Sequence, residues 1–160
     1  MCIIGDIYPA PLNRPPNRHA EIIGSLKCPQ FNALKTVVFI VDSGASFTTL
    51  LPYDVVNLGI NCDELNDAEK PCYTATGEPI YPKILPDVEL HLNKNNGVTG
   101  AEHIFLLDFI HCIKPPSVQD RRVLLPQQET FTLSLLGMDV LYHFTRWTYD
   151  FEECQLRLDY

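Results

Sequence analysis

A chain of 160 residues with 46% apolar and 20% charged side chains can bury a sizeable core as one domain, which excludes a disordered or fibrous class. Its net charge of −8, with only 12 Lys and Arg, repels phosphate backbones and offers no polybasic patch, so neither nucleic acid nor a membrane surface is an expected partner. No apolar run is long enough to cross a bilayer as a helix.

The first residues, Met1 to Asp6, lack a basic start and a long apolar segment, so no secretory leader is expected. Cys2, Cys28, Cys62, Cys72, Cys112 and Cys154 show no ligand-like spacing and are read as reduced thiols of a cytoplasmic protein. Pro9 to Arg18 is rich in Pro, Asn and Arg and reads as an exposed arm. The expected division is therefore an arm over 1–19 and one domain over 20–160.

Ala20 to Leu26 reads as a strand, Lys27 to Leu34 as a turn region around Pro29, and Lys35 to Val41 as a second strand. The run Val37-Val38-Phe39-Ile40-Val41 is β-branched and apolar throughout, the pattern of a fully buried strand. It runs directly into Asp42-Ser43-Gly44-Ala45, where the chain must turn and where Gly allows a close backbone approach. Ser46 to Leu51 is expected to return as a strand. Pro52 to Leu58, with Pro at its start and Gly59 just past its end, predicts a short helix. Asn61 to Pro71 is polar and acidic and reads as a loop.

Cys72 to Ile84 predicts a hairpin around Thr76-Gly77-Glu78-Pro79, with Pro82 needing an edge or bulge position. Asp87 to Leu92 alternates as a half-buried strand, Asn93 to Gly100 reads as a turn, and Glu102 to Ile110 as a further strand. Lys114 to Gln128 has three prolines and reads as a surface loop. Met138 to Phe144 could form a short helix. Trp147, Tyr149 and Phe151, then Cys154, Leu156, Leu158 and Tyr160, alternate with polar residues as a closing hairpin. Many short strands and one or two short helices predict an all-β closed barrel or sandwich.

Asp42-Ser43-Gly44 alone is consistent with an ordinary turn, since all three residue types are turn formers. A second feature far downstream, Leu135-Leu136-Gly137-Met138-Asp139, adds to it. Together with the apolar strand and Thr48-Thr49-Leu50, the two segments resemble the retropepsin-like aspartic peptidases, in their cellular and prokaryotic branch. The resemblance implies the closed-barrel acid-protease fold and aspartic endopeptidase activity on peptide or protein substrates. It also implies roles for residues: Asp42 as the carboxylate that activates water, Ser43 as a hydroxyl locking two active-site loops together, and Gly44 as the point of close backbone approach. Ala45 with Thr76, Gly77 and Glu78 would meet substrate, the last three at a covering hairpin, a position that an ordinary surface hairpin would also explain. Leu135, Leu136 and Gly137 would support the catalytic loop.

The chain holds one Asp-Ser-Gly, whereas a water-activating dyad needs two carboxylates sharing a proton. The second would come from the same residue of another copy, a homodimer with an isologous interface. The charged pair by which retroviral members tie this loop to the following helix is missing, because Ser46 and Met138 occupy its positions. Asp139 is read as an acid favoured early in a helix. Cys154 to Tyr160 is read either as an edge strand or as part of the dimer sheet. The five His lack metal-ligand spacing, so no metal or other cofactor is expected. His111 and Cys112, adjacent on a strand, would point apart and not pair. The competing reading is a binding module that holds peptides or proteins on this fold without cutting them.

Overall fold

The structure is a computed structural model that describes residues 2–8, 19–73, 77–93, 102–115 and 133–160, with backbone only at Tyr8 and Asn32. Eleven strands carry the described chain: β1 (Cys2–Tyr8), β2 (His19–Cys28), β3 (Phe31–Val41), β4 (Thr49–Leu50), β5 (Cys72–Tyr73), β6 (Pro79–Ile80), β7 (Lys83–Asn93), β8 (Glu102–Cys112), β9 (Ser134–Leu136), β10 (Arg146–Asp150) and β11 (Gln155–Asp159). Two short helices, α1 (Pro52–Leu58) and α2 (Met138–Leu141), and one 3₁₀ turn (Cys62–Glu64) complete it. Among the described residues no helix is long and apolar enough to cross a membrane.

Nine strands form one sheet in the order β10-β11-β1-β2-β3-β9-β4-β8-β7, and β7 pairs back onto β2. That last pairing closes β2, β3, β9, β4, β8 and β7 into a six-stranded barrel. β2 makes closure possible by dividing one edge between two partners. Its residues 19–21 pair with β1, while Gly24 to Lys27 pair with Leu92 to Glu89 of β7. β5 and β6 form a separate two-stranded sheet. The fold is the all-β closed barrel expected.

Alternation explains the core. Along β2, Ala20, Ile22, Leu26 and Cys28 are buried while Ile23 is exposed, so one face looks into the barrel. Phe39 of β3, Leu90 and Leu92 of β7, Ile110 of β8 and Leu136 of β9 are fully buried with them. Such packing is costly to disturb; removing a buried Leu side chain costs roughly 2–5 kcal/mol.

Several boundaries differ from expectation. Cys2–Tyr8, placed in an arm, is a strand held between β11 and β2, with Ile3 and Ile7 buried. The turn expected over Lys27 to Leu34 shrinks to Pro29-Gln30, because Cys28 pairs with a buried Phe31 and both strands continue outward. Ser46 to Leu51 forms a strand only at Thr49–Leu50. The carbonyls of Ala45 and Ser46 instead accept from Met138 and Asp139 of α2. α1 ends as expected at Gly59, whose φ of 73° is the left-handed turn that favours glycine. α2 stops at Leu141, short of Phe144. Pro82 lies between β6 and β7, where its carbonyl accepts from Ala68 N–H at 2.8 Å. β11 is not an edge: it pairs with β1 on one side and β10 on the other. The Pro9 to Arg18 arm, most of the Asn93 to Gly100 turn, most of the Lys114 to Gln128 loop and Thr76 lie outside the described residues.

Candidate functional site

Asp42 stands at the first position after β3, and two neighbouring strands fix it there. Phe39, Ile40 and Val41 pair in parallel with Ser134, Leu135 and Leu136 of β9, and Asp42 N–H donates to the Leu136 carbonyl at 3.1 Å. The next residues turn tightly: Gly44 N–H donates to Asp42 Oδ1 at 2.8 Å, and Ala45 N–H to the Asp42 carbonyl at 3.2 Å. The carboxylate is thereby oriented by its own loop, while Asp42 stays partly accessible and Ser43 and Gly44 are exposed.

The loop is sewn to α2. Met138 N–H donates to the Ala45 carbonyl at 2.8 Å, and Asp139 N–H to the Ser46 carbonyl at 3.2 Å. Asp139 Oδ1 accepts from Thr48 N–H at 2.9 Å, from the Thr48 hydroxyl at 2.8 Å and from Val140 N–H at 3.0 Å. The Thr48 oxygen in turn accepts from Gly137 N–H at 3.1 Å. A side chain at 137 has no room, since its Cβ would lie 2.4 Å from the Phe47 carbonyl carbon. Gly137 is therefore required by close backbone approach and not by its φ of −92°.

The structure thus brings together Asp42, Gly44 and Ala45 with Leu136 and Gly137, and seats Leu135 between Ile40 of β3 and Thr49 of β4. Gly77 and Glu78 stand on the separate β5–β6 hairpin. Gly77 has φ 82° with open space around it, and Glu78 is exposed. Thr48 and Asp139 carry the tie between loop and helix, in place of the absent charged pair. The sequence carries no sign of their contact, because two polar residues far apart in the chain leave no periodic signal. The acidic residue early in α2 is legible in the sequence, but its partner is not.

Two further side chains flank this region. Tyr149 of β10 has its phenol held above its ordinary range, first by burial and then by the negative charge of Asp42. His111 of β8 is buried, with its ring 4.8 Å from Phe47, and burial lowers its pKa against the opposing pull of Asp139. Its Nδ1 lies 3.4 Å from Cys72 Sγ. Burial raises the Cys72 thiol as well, so this pair is neutral and not a thiolate–imidazolium couple. Cys112 is fully buried and its thiol is pushed far up by desolvation.

No protein-family model matches the sequence, and no curated protein does. Among solved structures, the chain is similar to a retropepsin-like aspartic protease from Rickettsia conorii, at 23% identity and a TM-score of 0.51. The match covers 99% of this chain and 90% of that one. At that identity the likeness is one of fold: the closed six-stranded all-β barrel with two short helices defines the class as retropepsin-like in architecture.

Proposed function

We propose that this chain is an aspartic endopeptidase whose dyad is Asp42 from each of two copies. The observation that carries this reading is the placement of Asp42. It sits at the end of a buried strand, bonded to the Leu136 carbonyl and Gly44 N–H, on a loop clamped to Gly137 and α2. So much fixed structure around one exposed carboxylate-bearing turn suits a group that must be held in register with a second charge.

The chemistry follows from two carboxylates too close for both to ionise. The unprotonated one takes a proton from a water held between them, and the other donates to the substrate carbonyl oxygen as the water attacks the carbon. Collapse of the tetrahedral intermediate returns a proton to the leaving amine. In this reading Ser43 locks the paired loops, while Gly44 and Ala45 present backbone to an extended peptide. The hairpin carrying Thr76, Gly77 and Glu78 covers the peptide, which would bind as an added strand. Leu135, Leu136 and Gly137 hold the loop from beneath. All six cysteines are free thiols, as a cytoplasmic site of action would have them.

The test is cleavage of a diverse peptide library at high protein concentration, read by mass spectrometry from about pH 3.5 to 7.5. Wild type should cut and Asp42→Ala should not, with both folded. Equal cleavage by the two proteins would overturn the mechanism.

A further inference from the structure

The β5–β6 hairpin has little of its own to hold it in place. Its strands are two residues each, with Cys72 opposite Ile80 and Tyr73 opposite Pro79, and a two-stranded hairpin alone is marginal in water. Its base is tied down. Asp67 pairs with Lys83 at 2.9 Å, Ala68 N–H donates to the Pro82 carbonyl at 2.8 Å, and Ile84 N–H donates to the Asn66 carbonyl at 2.9 Å. Farther out Tyr73 is exposed, while Cys72 is partly covered and sets its Sγ 3.4 Å from His111 Nδ1.

His111 is itself firmly placed. Its backbone N–H donates to the Thr48 carbonyl at 3.0 Å. Its ring lies 4.8 Å from that of Phe47 and is stacked with that of Phe109 at 5.6 Å. Phe47 and Thr48 belong to the segment returning from Asp42, and Thr48 is the residue that Asp139 holds. One buried residue of β8 therefore touches both the hairpin and the support of the Asp42 loop. A buried imidazole costs free energy unless its nitrogens are bonded. A phenylalanine at 111 would suit the two neighbouring rings as well, but it could not accept a hydrogen bond from Cys72.

We propose that Cys72 and His111 form a latch that seats the β5–β6 hairpin on the segment returning from Asp42, and that both are positioning residues of the peptidase. The inference rests on the peptidase reading above and adds how its covering hairpin is held. The thiol S–H donates to Nδ1, because an imidazole nitrogen accepts well and sulfur poorly, and the ring proton then sits on Nε2. Both groups are neutral, as their burial favours, so no charge has to be desolvated when the hairpin seats. A single neutral bond is weak enough to break when the hairpin lifts for a peptide and directional enough to restore its position afterwards. Neither residue touches the reacting atoms.

The test is amide hydrogen exchange over Cys72 to Ile80, run beside the peptide assay. Cys72→Val keeps apolar bulk without a donor, and His111→Phe keeps the ring stack without an acceptor. Each should speed exchange in the hairpin about three- to tenfold, while exchange in β2, β3 and β7 stays as in wild type. The double variant should be no faster than the faster single one, because both remove the same contact. Cys72→Ser restores a donor and should exchange within about threefold of wild type. In the peptide assay KM should rise by up to the same factor as exchange, with kcat within about twofold of wild type, because the latch acts on the cover and not on the dyad. Hairpin exchange that does not change, effects that add in the double variant, or Ser behaving as Val would overturn the latch; the Ser and Val variants carry the test if His111→Phe misfolds. A loss in kcat with KM unchanged overturns the positioning role. Exchange that responds as expected in a protein that cuts no peptide keeps the latch and overturns the peptidase reading instead.

Discussion

The Thr48 hydroxyl lies 2.8 Å from Asp139 Oδ1, joining residues 91 apart in the chain. Thr48 is thereby at once a donor to α2 and, through Gly137 N–H, an acceptor from the segment that enters it. One oxygen of Asp139 gathers three donors, and the loop that bears Asp42 begins six residues before Thr48. The position of the Asp42 carboxylate is therefore set by a polar node on the far side of its own loop.

Removing that node separates charge from hydrogen bonding. Asp139→Asn keeps a carbonyl oxygen for the Thr48 and Val140 donors, so it should cost less than about 1 kcal/mol of stability. Asp139→Ala leaves those donors unmet and should cost about 1–3 kcal/mol, with a loss of any Asp42-dependent cleavage larger than the Asn variant shows. Urea denaturation and the peptide assay check both. If Ala and Asn behave alike, the node does not hold the loop.

Gly137→Ala tests close packing. The added Cβ would meet the Phe47 carbonyl carbon at 2.4 Å and Thr48 N at 2.7 Å, both backbone atoms that cannot swing aside. We expect a loss on the order of 1–3 kcal/mol, the usual cost of overpacking a tight site. Gly77→Ala is the control: nothing crowds it, and only its φ of 82° opposes the change. A Gly137→Ala protein as stable as wild type would mean the loop and α2 can separate freely.

Two groups give the stability profile opposite slopes in acid. Burial raises Asp54 above its ordinary 3.8, against a hydrogen bond from the Ser134 hydroxyl at 2.6 Å. The fold therefore prefers the protonated acid, and this contribution is present below 3.8 and lost as pH rises through the higher folded value. Asp54→Asn keeps an acceptor for Ser134, and should be more stable than wild type at pH 7 but nearly equal to it at pH 3. His111 works the other way. Burial lowers it from 6.5, so the fold prefers the neutral ring, and stability is lost as pH falls from 6.5 toward the lower folded value. His111→Phe should flatten that part of the curve. Denaturation series for both variants across this range read the two slopes, and parallel curves for wild type and variant would refute either assignment.

How far the residues alone foretold this arrangement depends on the kind of signal. The buried strand into Asp42, the helix between Pro52 and Gly59, the apolar pair before Gly137 and the closing hairpin were all legible, because each is a local pattern of period or punctuation. Cys2–Tyr8 is hidden by its Pro-rich neighbour and by Ile4, which breaks the apolar–polar alternation, although Ile3, Gly5 and Ile7 are buried on one face at a strand's period of two. Pro29 suggested a broad turn, yet only two residues turn, since Phe31 is drawn back into the core. Ser46 to Thr48 reads as strand and is not, because the Ser46 carbonyl accepts from Asp139 N–H and Thr48 N–H donates to the Asp139 carboxylate. Contacts of that kind are settled by tertiary packing, and nothing in a single sequence announces them. The same holds for β11, which looks terminal in the chain but is interior in the sheet.

The neighbourhood of Tyr149 and Asp42 offers a last test by reciprocity. Asp42 lifts the Tyr149 phenol above its ordinary 10.0 because a nearby negative charge opposes formation of the phenolate, in addition to the larger effect of burial. Removing the charge and leaving the burial should therefore bring the phenol part of the way back. In Asp42→Ala, a titration of Tyr149 followed by ring carbon resonances should show a lower midpoint than in wild type, still above the ordinary value. Asp42→Asn should give the same fall, since it too removes the charge while keeping the shape of the side chain. An unchanged midpoint in both would mean that Tyr149 lies outside the reach of the Asp42 carboxylate. Strand β10 would then have to be placed farther from the loop that Asp42 begins.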